Sequence, residues 1–497
     1  MSEKAFAKEL ELLIRSRYPI IWVETWEEER ASAAIEAIAK KLEKRVFHYN
    51  CIGNMTEGDA AVENTETPER ALEHIRTSSE RAIYVLYDIH PYLRPEEPSV
   101  TRRLRQAAFE LKRSFKTVII VSPVAKIPPE LEKQVTLLDL PLPDGDELMA
   151  LLKRVLKSVK DRPELKVEVD APLAERIVKA SRGLTMAEAE RLFLKAAVSD
   201  RHFGPEDLSL ILEEKKQVLR KTGLLEYFDA GETLADVGGL ELLKDWLANR
   251  SNAFSEEARR FGLPEPKGLL LLGVQGCGKS LTAKAVAKLW QLPLLRLDVG
   301  SLFSMYVGST EANMRKAIKI AETLSPVVLW LDEIEKGLSG LESSGAVDAG
   351  VTARIFSSFL LWMQEKKHPV FVVATSNDVR RLPPELLRKG RFDEIFFIDL
   401  PNERERADIF RIHLRRRKRD PEEFDSAALA AASEGFSGAE IENAVVAGLY
   451  KAFAAGRELA MCDVVEAVAE TIPLSKTMAE RIEELRQWAA TRARPAS

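Results

Sequence analysis

A glycine-rich segment in the second half of the chain has the residue types and spacing of a phosphate-binding loop. Together with the residue that follows it, the segment comprises Gly273, Val274, Gln275, Gly276, Cys277, Gly278, Lys279, Ser280 and Leu281. It lies between an apolar run and a helical pattern, which is the context such loops require. Glycines let the backbone wrap an anion, and the N-terminus of the next helix adds favourable partial charge. We therefore expect nucleotide binding here, with Lys279 at the β- and γ-phosphates and Ser280 on Mg²⁺.

Two acidic residues, Asp332 and Glu333, follow the apolar run 327–331. A buried strand that ends in two acids places both at the carboxyl edge of the sheet, where ligands bind in open α/β folds. By itself this pattern is as often structural as functional, but here it comes 53 residues after Lys279, with one strand and helices between. We expect Asp332 to hold the Mg²⁺ shell and Glu333 to orient or deprotonate an attacking water.

Three further polar residues stand where they could complete a site for phosphoryl transfer. Asn377 ends the strand pattern VFVVATSN, where its amide could reach a γ-phosphate or position the water; the alternative is a turn residue. Arg388 and Arg391 flank a glycine, and arginine suits bidentate contact with a phosphoryl group; the alternative is solvated surface charge. Cys277 is either a tolerated small residue of the loop or a redox-sensitive thiol beside Lys279.

A parallel sheet is needed to bring these residues together, and the second half of the chain has the pattern of one. The apolar runs KGLLLLGV, PLLRLDV, PVVLWLDE, PVFVVATSN and EIFFIDLP are mostly separated by helical stretches. Such alternation predicts a parallel sheet covered on both faces. From Arg404 onward the patterns are helical only, so we expect a small helical lid after the sheet.

The first half of the chain repeats this order in weakened form. Five segments of the first half match five of the second half in the same order. YPIIWVET matches KGLLLLGV, RAIYVLYDIH matches PVVLWLDEIE, KTVIIVSPV matches HPVFVVATSN, IPPELEKQVTLLDLP matches LPPELLRKGRFDEIFFIDLP, and SRGLTMAEAE matches SEGFSGAEIE. Any α/β sheet yields some look-alike strands, but the shared PPEL and LP landmarks favour an internal duplication. We therefore expect two copies of one α/β-plus-lid unit.

Composition narrows the class of protein. The chain has 497 residues, 45% hydrophobic and 30% charged, so it is globular and long enough for several domains. A net charge of −5 shows no excess of positive charge of the kind that binding to nucleic acid or an anionic membrane needs. The basic run 415–419 is typical of a solvated helix end. Three scattered cysteines disfavour zinc and disulfides, and no apolar run approaches the ~20 residues of a membrane span. We expect a cytoplasmic protein that binds neither membrane nor nucleic acid.

Residues 233–473 resemble an AAA ATPase module, in which the glycine loop and the acidic strand end are the Walker A and Walker B motifs. The resemblance adds nucleotide contacts at Asp236, Val237, Gly238, His413, Gly438 and Ala439. It also implies that Asn377 is the first sensor, and that Arg388 and Arg391 are arginine fingers that act in trans on the neighbouring subunit. The ligands it implies are ATP and Mg²⁺.

The resemblance further implies an assembly and a mode of action. Tyr306, Val307 and Gly308 stand where related remodelling ATPases carry a pore loop, and six copies of Tyr306 would grip an unfolded chain; a packed tyrosine is the alternative. The chain is thus expected to form a homo-oligomer, a hexamer, that remodels or threads an unidentified protein partner. The competing hypothesis is a regulatory module whose ATP-dependent assembly controls a partner without threading.

The chain is similar to one branch of that family in three features: the duplication, the segment AVDAGVTAR and the ending TIPLSKTM. This branch comprises the hypothetical chloroplast reading-frame AAA ATPases of plastids, cyanobacteria and other bacteria. If the gene is plastid-borne, the expected compartment is the plastid stroma rather than the cytoplasm.

The first copy departs from the family pattern wherever chemistry is expected. Its counterpart of the phosphate loop, YPIIWVETWEEERAS, has no GK[ST], and the acidic run 27–29 would repel phosphate. Asp88, aligned with Asp332, is followed by Ile89 rather than by a second acid, and a stretch matching RKGRF is missing. We expect a degenerate module kept for architecture, docking or regulation.

The predicted fold class is therefore α/β: a P-loop AAA parallel sheet with a helical lid, preceded by a degenerate copy of the same unit. The expected boundaries are a degenerate α/β domain at 1–145, its lid at 146–200, a connector at 201–232, the active α/β domain at 233–402, its lid at 403–473, and a C-terminal helix and tail at 474–497.

Overall fold

The computed structural model describes most of the chain. The described residues are 3–96, 98–160, 166–199, 202–221, 223–228, 231–299, 310–338, 357–388 and 390–497. The chain divides into two compact units, Met1–Lys215 and Lys216–Ser497. Among the described residues, we find no helix with the length and apolar character needed to cross a bilayer.

The first unit is built on a mostly parallel seven-stranded sheet. Its strands are β1 (Ile20–Glu24), β2 (Arg45–Tyr49), β3 (Thr56–Glu57), β4 (Ala60–Ala61), β5 (Ala82–Tyr87), β6 (Thr117–Ser122) and β7 (Val135–Asp139). They lie in the order β4-β3-β2-β5-β6-β1-β7. The central strands β5 and β6 are buried along their whole length, as expected for continuous apolar runs covered on both faces.

Helices cover both faces of this sheet and then continue as a helical segment. The helices are α1 (Glu3–Arg15), α2 (Glu28–Lys41), α3 (Pro68–Thr77), α4 (Pro98–Leu111), α5 (Gly145–Lys160), α6 (Ala171–Ser181), α7 (Met186–Ser199) and α8 (Asp207–Lys221). One core packs α1 and α2 on one face of the sheet, and another packs α3 and α4 on the other. A short parallel pair, β8 (Lys166–Val167) and β9 (His202–Phe203), lies in the helical segment.

The second unit has a sheet of the same design. Its strands are β10 (Leu225–Phe228), β11 (Gly268–Gly273), β12 (Leu294–Leu297), β13 (Val327–Leu331), β14 (Val370–Ser376), β15 (Glu394–Ile398) and β16 (Arg494–Pro495). They lie in the order β10-β12-β13-β14-β11-β15-β16, and β10 is antiparallel to β12. Part of the segment expected to be a connector thus forms an edge strand of this sheet.

The helices of the second unit fall into a group beside the sheet and a group after it. Beside the sheet are α9 (Glu241–Ala248), α10 (Glu256–Phe261), α11 (Lys279–Leu289), α12 (Thr310–Thr323), α13 (Ile334–Leu338) and the helical residues 357–365. After it come α14 (Glu403–Arg416), α15 (Ser426–Ala432), α16 (Gly438–Ala454), α17 (Met461–Glu470), α18 (Leu474–Thr477) and α19 (Ala479–Arg492). Helices α14 to α17 pack around a core of their own.

The two sheets share one strand order, which supports the duplication that the sequence indicates. Numbered by appearance along the chain, five parallel strands common to both units follow the order second, third, fourth, first, fifth: β2-β5-β6-β1-β7 and β12-β13-β14-β11-β15. The predicted fold class, a parallel α/β sheet with a helical lid preceded by a related unit, is confirmed.

Candidate functional site

A cavity of about 330 Å³ opens at the carboxyl edge of the second sheet, between the sheet and helices α14 and α16. Residues that the sequence singled out line much of it: Asp236, Val237, Gly238, Gln275, Gly276, Cys277, Gly278, Lys279, Ser280, Leu281, Glu333, Asn377, His413, Gly438 and Ala439. Residues distant in sequence thus meet around one space, as expected where parallel strands end together.

The loop between β11 and α11 needs its glycines for two different reasons. At Gly273, a Cβ would lie 1.9 Å from the carbonyl oxygen of Ile398, so the close approach of β11 to β15 excludes any side chain. At Gly278, φ is +88° and a Cβ would meet no atom within 4 Å, so this position borders open space. Val274 is buried, and its N–H donates to the Ile398 carbonyl at 3.0 Å. The loop is therefore anchored at its start and open at its end.

Lys279, the first residue of α11, is a buried cation beside this open space. Its Nζ donates to the carbonyl oxygens of Gly273 at 2.9 Å and of Val274 at 2.7 Å. Burial lowers the pKa of Lys279 to about 8, although the carboxylates of Glu335 and Glu333 oppose that shift. Phosphate oxygens at this position would supply the negative charge that two neutral carbonyls lack.

Ser280, Asp332 and Thr375 form a hydrogen-bonded group next to the lysine. The hydroxyls of Ser280 and Thr375 both donate to Oδ1 of Asp332, at 2.9 and 2.8 Å. The other carboxylate oxygen, Oδ2, lies 3.9 Å from the guanidinium of Arg296. Hydroxyl and carboxylate oxygens are the hard ligands that Mg²⁺ prefers, so this group can hold that ion.

Glu333 is held in position through both its backbone and its side chain. Its φ is +48°, an unusual conformation for a residue with a Cβ, and its N–H donates to the hydroxyl of Thr375 at 2.9 Å. The side-chain amide of Asn377 donates to Oε1 of Glu333 at 3.0 Å, while Lys336 pairs with Oε2. The backbone N–H of Asn377 is bound in turn by Glu335, at 2.9 Å.

The other end of the cavity is apolar on one side and carries a histidine on the other. Gly238 packs so closely on Ile409 that a Cβ would lie 2.5 Å from its Cγ1. His413 is largely buried, its Nδ1 has no hydrogen-bond partner among the described residues, and Glu442 is 3.8 Å away. Burial lowers the pKa of His413, which favours the neutral imidazole. Such a surface suits a flat heterocycle with polar edges.

Asp236 lies at the rim of this end of the cavity. The backbone N–H and hydroxyl of Thr233 donate to its carboxylate, and Arg416 lies 3.5 Å away. These contacts, led by the backbone N–H, lower the pKa of Asp236. Its carboxylate therefore fixes the turn that presents Val237 and Gly238.

The residues present fit ATP with Mg²⁺. Gly278 borders open space next to a buried ammonium group, and an oxygen-ligand group stands beside it. At the far end lies the Nδ1 of His413, for which the described part of the chain offers no hydrogen-bond partner. In the fit we propose, Lys279 and the loop N–H groups hold phosphate oxygens, while Ser280 and Asp332 hold Mg²⁺. Gly438 and Ala439 begin α16 with its N-terminal N–H groups at the loop, and the N–H of Ala439 donates to the Gly276 carbonyl at 3.0 Å.

Not all sequence-predicted residues meet in this cavity. Arg388 is exposed, Arg391 is half-buried, and neither lines the cavity. Tyr306, Val307 and Gly308 lie outside the described residues. The thiol of Cys277 is packed so that burial raises its pKa to about 12, which opposes the reactive-thiolate alternative in this conformation.

Sequence reasoning missed several residues of the cavity. Thr375 bridges both acids, and Glu405 accepts from the N–H of Leu240 at 3.3 Å while also capping α14 through Asn402. The missed lining residues are Thr375, Asp399, Pro401, Glu405, Ile409, Ile412, Arg416 and Glu442. Thr375 could have been found from its place two residues before Asn377, on the same face of the strand.

Strand register corrects the alignment of the first copy at Asp88. Leu86 packs on the sheet face away from α2, as Leu331 packs on the face away from α11, so Tyr87 takes the place of Asp332. Asp88 then takes the place of Glu333, and both have φ of +48°. The expectation that Asp88 aligns with Asp332 was wrong, because successive residues of a strand point to opposite faces and a shift of one residue exchanges the faces. The acid absent from the first copy is the one at the Asp332 position.

Comparison with known proteins gives three family matches along the chain. Residues 6–140 match the N-terminal domain of SpoVK-like AAA ATPases, and residues 146–222 match the second domain of the same group. Residues 269–400 match the ATPase family associated with various cellular activities, AAA.

Relatives align over almost the whole chain. Each is an uncharacterized AAA domain-containing protein named ycf46. The protein of Guillardia theta is 40% identical, over 98% of this chain and 95% of its own length. That of Pyropia yezoensis is 41% identical over 99% of both chains, and that of Trieres chinensis is 40% identical over 98% and 97%.

Proposed function

Because the chain belongs to the AAA ATPase family, we propose that it hydrolyses ATP, with Mg²⁺, in the cavity of its second unit. Family membership supports an ATPase activity. The observation that carries the specific proposal is that Asn377 and Thr375 hold Glu333 and Asp332 beside a buried lysine at an open glycine loop. These are the parts that phosphoryl transfer to water requires.

Each side chain has a distinct role in the proposed reaction. Lys279 binds and neutralises phosphate oxygens, and Ser280 with Asp332 holds Mg²⁺, which when bound neutralises charge on the phosphates. Glu333 accepts a proton from the attacking water at its carboxylate. Asn377, which donates to that carboxylate, limits its rotation and keeps it aimed at the position of the water.

The first test is the Glu333→Gln variant. We expect it to bind ATP as the wild type does, because the phosphate contacts are unchanged, and to lose turnover by about a hundredfold or more, as befits a lost general base. Nucleotide binding by equilibrium titration and phosphate release measured side by side would show this. The matched control is Glu241→Gln, which removes an exposed carboxylate from α9 and should leave both values unchanged.

Ring formation is the second part of the proposal. Arg388 and Arg391 lie outside the cavity of their own chain, which suits fingers that reach a neighbouring subunit. We therefore propose a homo-oligomer, a hexamer, in which the two arginines stabilise charge on the phosphoryl group across an interface. Mass photometry with ATP should detect it, and a strict monomer that is fully active at every concentration would rule it out.

Remodelling of a protein partner is the third part, and it rests on the resemblance at Tyr306. Under this proposal, Tyr306→Ala abolishes remodelling of a captured partner while ATP turnover continues. The alternative, a regulatory module without threading, has its own support in a first unit that lacks the phosphate loop. It predicts that Tyr306→Ala leaves control of the partner intact. A partner for this assay can be captured with the Glu333→Gln variant held in ATP.

The proposed compartment is the cytoplasm, or the plastid stroma where the gene is plastid-borne. We propose that the protein binds neither membrane nor nucleic acid, in keeping with its net charge of −5. A DNA-binding titration at low and high salt tests the second point, because a salt-dependent affinity would contradict it.

A further inference from the structure

The first unit contains a counterpart of the nucleotide cavity, and strand register identifies its residues. Glu24 pairs with Ser122 between β1 and β6 as Leu272 pairs with Ser376 between β11 and β14. Counting onward from these strands, Arg30 stands at the position of Gly278. Ser32 stands at the position of Ser280.

A hydrogen bond and a helix cap support this equivalence independently. The hydroxyl groups of Ser32 and Tyr87 form a hydrogen bond of 2.6 Å, as Ser280 and Asp332 do in the second unit. Helix α7 begins after a Thr185–Glu188 cap, as α16 begins after the cap formed by Ser437 and Glu440. Met186 therefore stands at the position of Gly438, over the counterpart of the phosphate loop.

Side chains of the first unit occupy this counterpart. Arg30, with a side chain only 9% exposed, donates to Glu27 at 2.8 Å, to Glu147 at 2.8 Å and to the carbonyl of Pro141 at 2.6 Å. Glu147 stands in the capping position of α5 that Glu405 holds in α14. The guanidinium is thus bound by the counterpart of Glu405, a residue that lines the cavity of the second unit.

The carboxylate of Glu27 is the anion that this arrangement binds. Its side chain is 4% exposed, and while Oε2 accepts from Arg30, Oε1 accepts from the backbone N–H of Met186 at 2.6 Å. That N–H belongs to the first turn of α7, and helix N-termini favour a negative partner. The acidic run 27–29, expected to repel phosphate, therefore supplies a carboxylate that bonds the lid.

We propose that the ligand of the first unit's nucleotide-type pocket is the chain itself: the Glu27–Arg30–Glu147 cluster replaces nucleotide and keeps α5 and α7 docked on the sheet whether or not ATP is present. Each charge in the cluster has an opposite partner, which buried charges need if they are to be stable. The first unit then gives a fixed body, while the second unit changes with its nucleotide.

Hydrogen–deuterium exchange on the full chain tests this proposal. In the wild type, amides 186–189 should exchange at the same rate with and without ATP. Their exchange should speed up about tenfold or more in Glu27→Gln, which removes the charged acceptor of the Met186 N–H, and in Arg30→Met, which leaves the buried Glu27 without its opposite charge. Glu29→Gln, an exposed neighbour with the same charge change, is the control and should exchange like the wild type.

Two results would overturn the proposal. One is slower exchange at 186–189 when ATP is added to the wild type, and the other is wild-type exchange in both cluster variants. Should those variants fail to fold, nucleotide stoichiometry decides: one nucleotide per chain supports the proposal and two contradict it. A missing ATP response at 438–441 counts against the proposed ATPase site instead, so the two failures are distinguishable.

Discussion

At the scale of single residues, the ionisation of Lys279 links this site to pH. Burial lowers its pKa from 10.5 to about 8, and its ammonium group donates to the carbonyl oxygens of Gly273 and Val274. Phosphate oxygens would stabilise the charged form and raise the pKa again. Above pH 8, binding of a nucleotide must therefore take up a proton.

From this we predict that ATP affinity is constant below about pH 8 and falls above it, by up to about tenfold per pH unit, as the free lysine loses its proton. Nucleotide titrations between pH 7 and pH 9.5 measure it. In Lys279→Arg the guanidinium remains charged throughout, so the slope should vanish even where affinity is lower. Cys277 does not interfere, since burial raises its pKa to about 12. A flat wild-type profile up to pH 9.5 would contradict the role given to burial.

The contrast between Lys279 and Tyr87 shows what residue types alone can and cannot predict. The motif GxxxxGK[ST] is specific, because few other sequences let a backbone wrap around an anion at the start of a helix. The phosphate-binding loop and Lys279 were therefore predictable from the sequence. Tyr87 was not, because its equivalence to Asp332 depends on which face of β5 it occupies. Thr375 was missed for a similar reason: a threonine in an apolar strand has no signature until its hydroxyl is seen to bond both acids.

At the scale of elements, alternating strands and helices were predictable, but the edges of the second sheet were not. Strand β16 has two residues and no apolar pattern, yet it pairs with β15, and Ala496 is 1% exposed. The N–H of Ala496 donates to the carbonyl of Phe397, and the carbonyl of Ala496 accepts from the N–H of Leu243, both within 3.1 Å. Pairing of this kind depends on tertiary contacts rather than on local sequence.

Because Ala496 lies in the same core as Phe396 and Ile398, we predict that Ala496→Asp destabilises the second unit by roughly 3 kcal/mol or more, through an unpaired buried carboxylate. Pro495→Asp places the same residue at the exposed neighbouring position and should change stability by no more than about 0.5 kcal/mol. Calorimetry on the full chain can assign the loss of stability to the second unit, since ATP raises the melting temperature of the unit that binds it. Equal shifts in both variants would show that β16 is not part of the folded core.

At the scale of the whole molecule, the two units share one topology but differ at the position of the phosphate loop. In the second unit the position beside Gly278 is open, and the groups around it are poised for phosphate. In the first, the side chains of Glu27 and Arg30 stand at the counterpart of the phosphate loop and bond the lid. A chain with one responsive and one fixed unit can transmit nucleotide state only through the second, so activity should depend on contacts that the second unit makes with its neighbours.

Mixing two inactive variants tests that dependence. Glu333→Gln lacks the acid but has intact fingers, whereas a chain with both Arg388→Ala and Arg391→Ala has intact acids but no fingers. If the fingers act in trans, a site is complete wherever an intact acid meets intact fingers from its neighbour, which in a random equal mixture of ring subunits is about a quarter of all sites. We therefore predict that mixing and reassembly restore about a quarter of wild-type phosphate release, from two preparations that separately show almost none. Fingers acting within their own chain would leave the mixture as inactive as its parts, because every site would still lack one group.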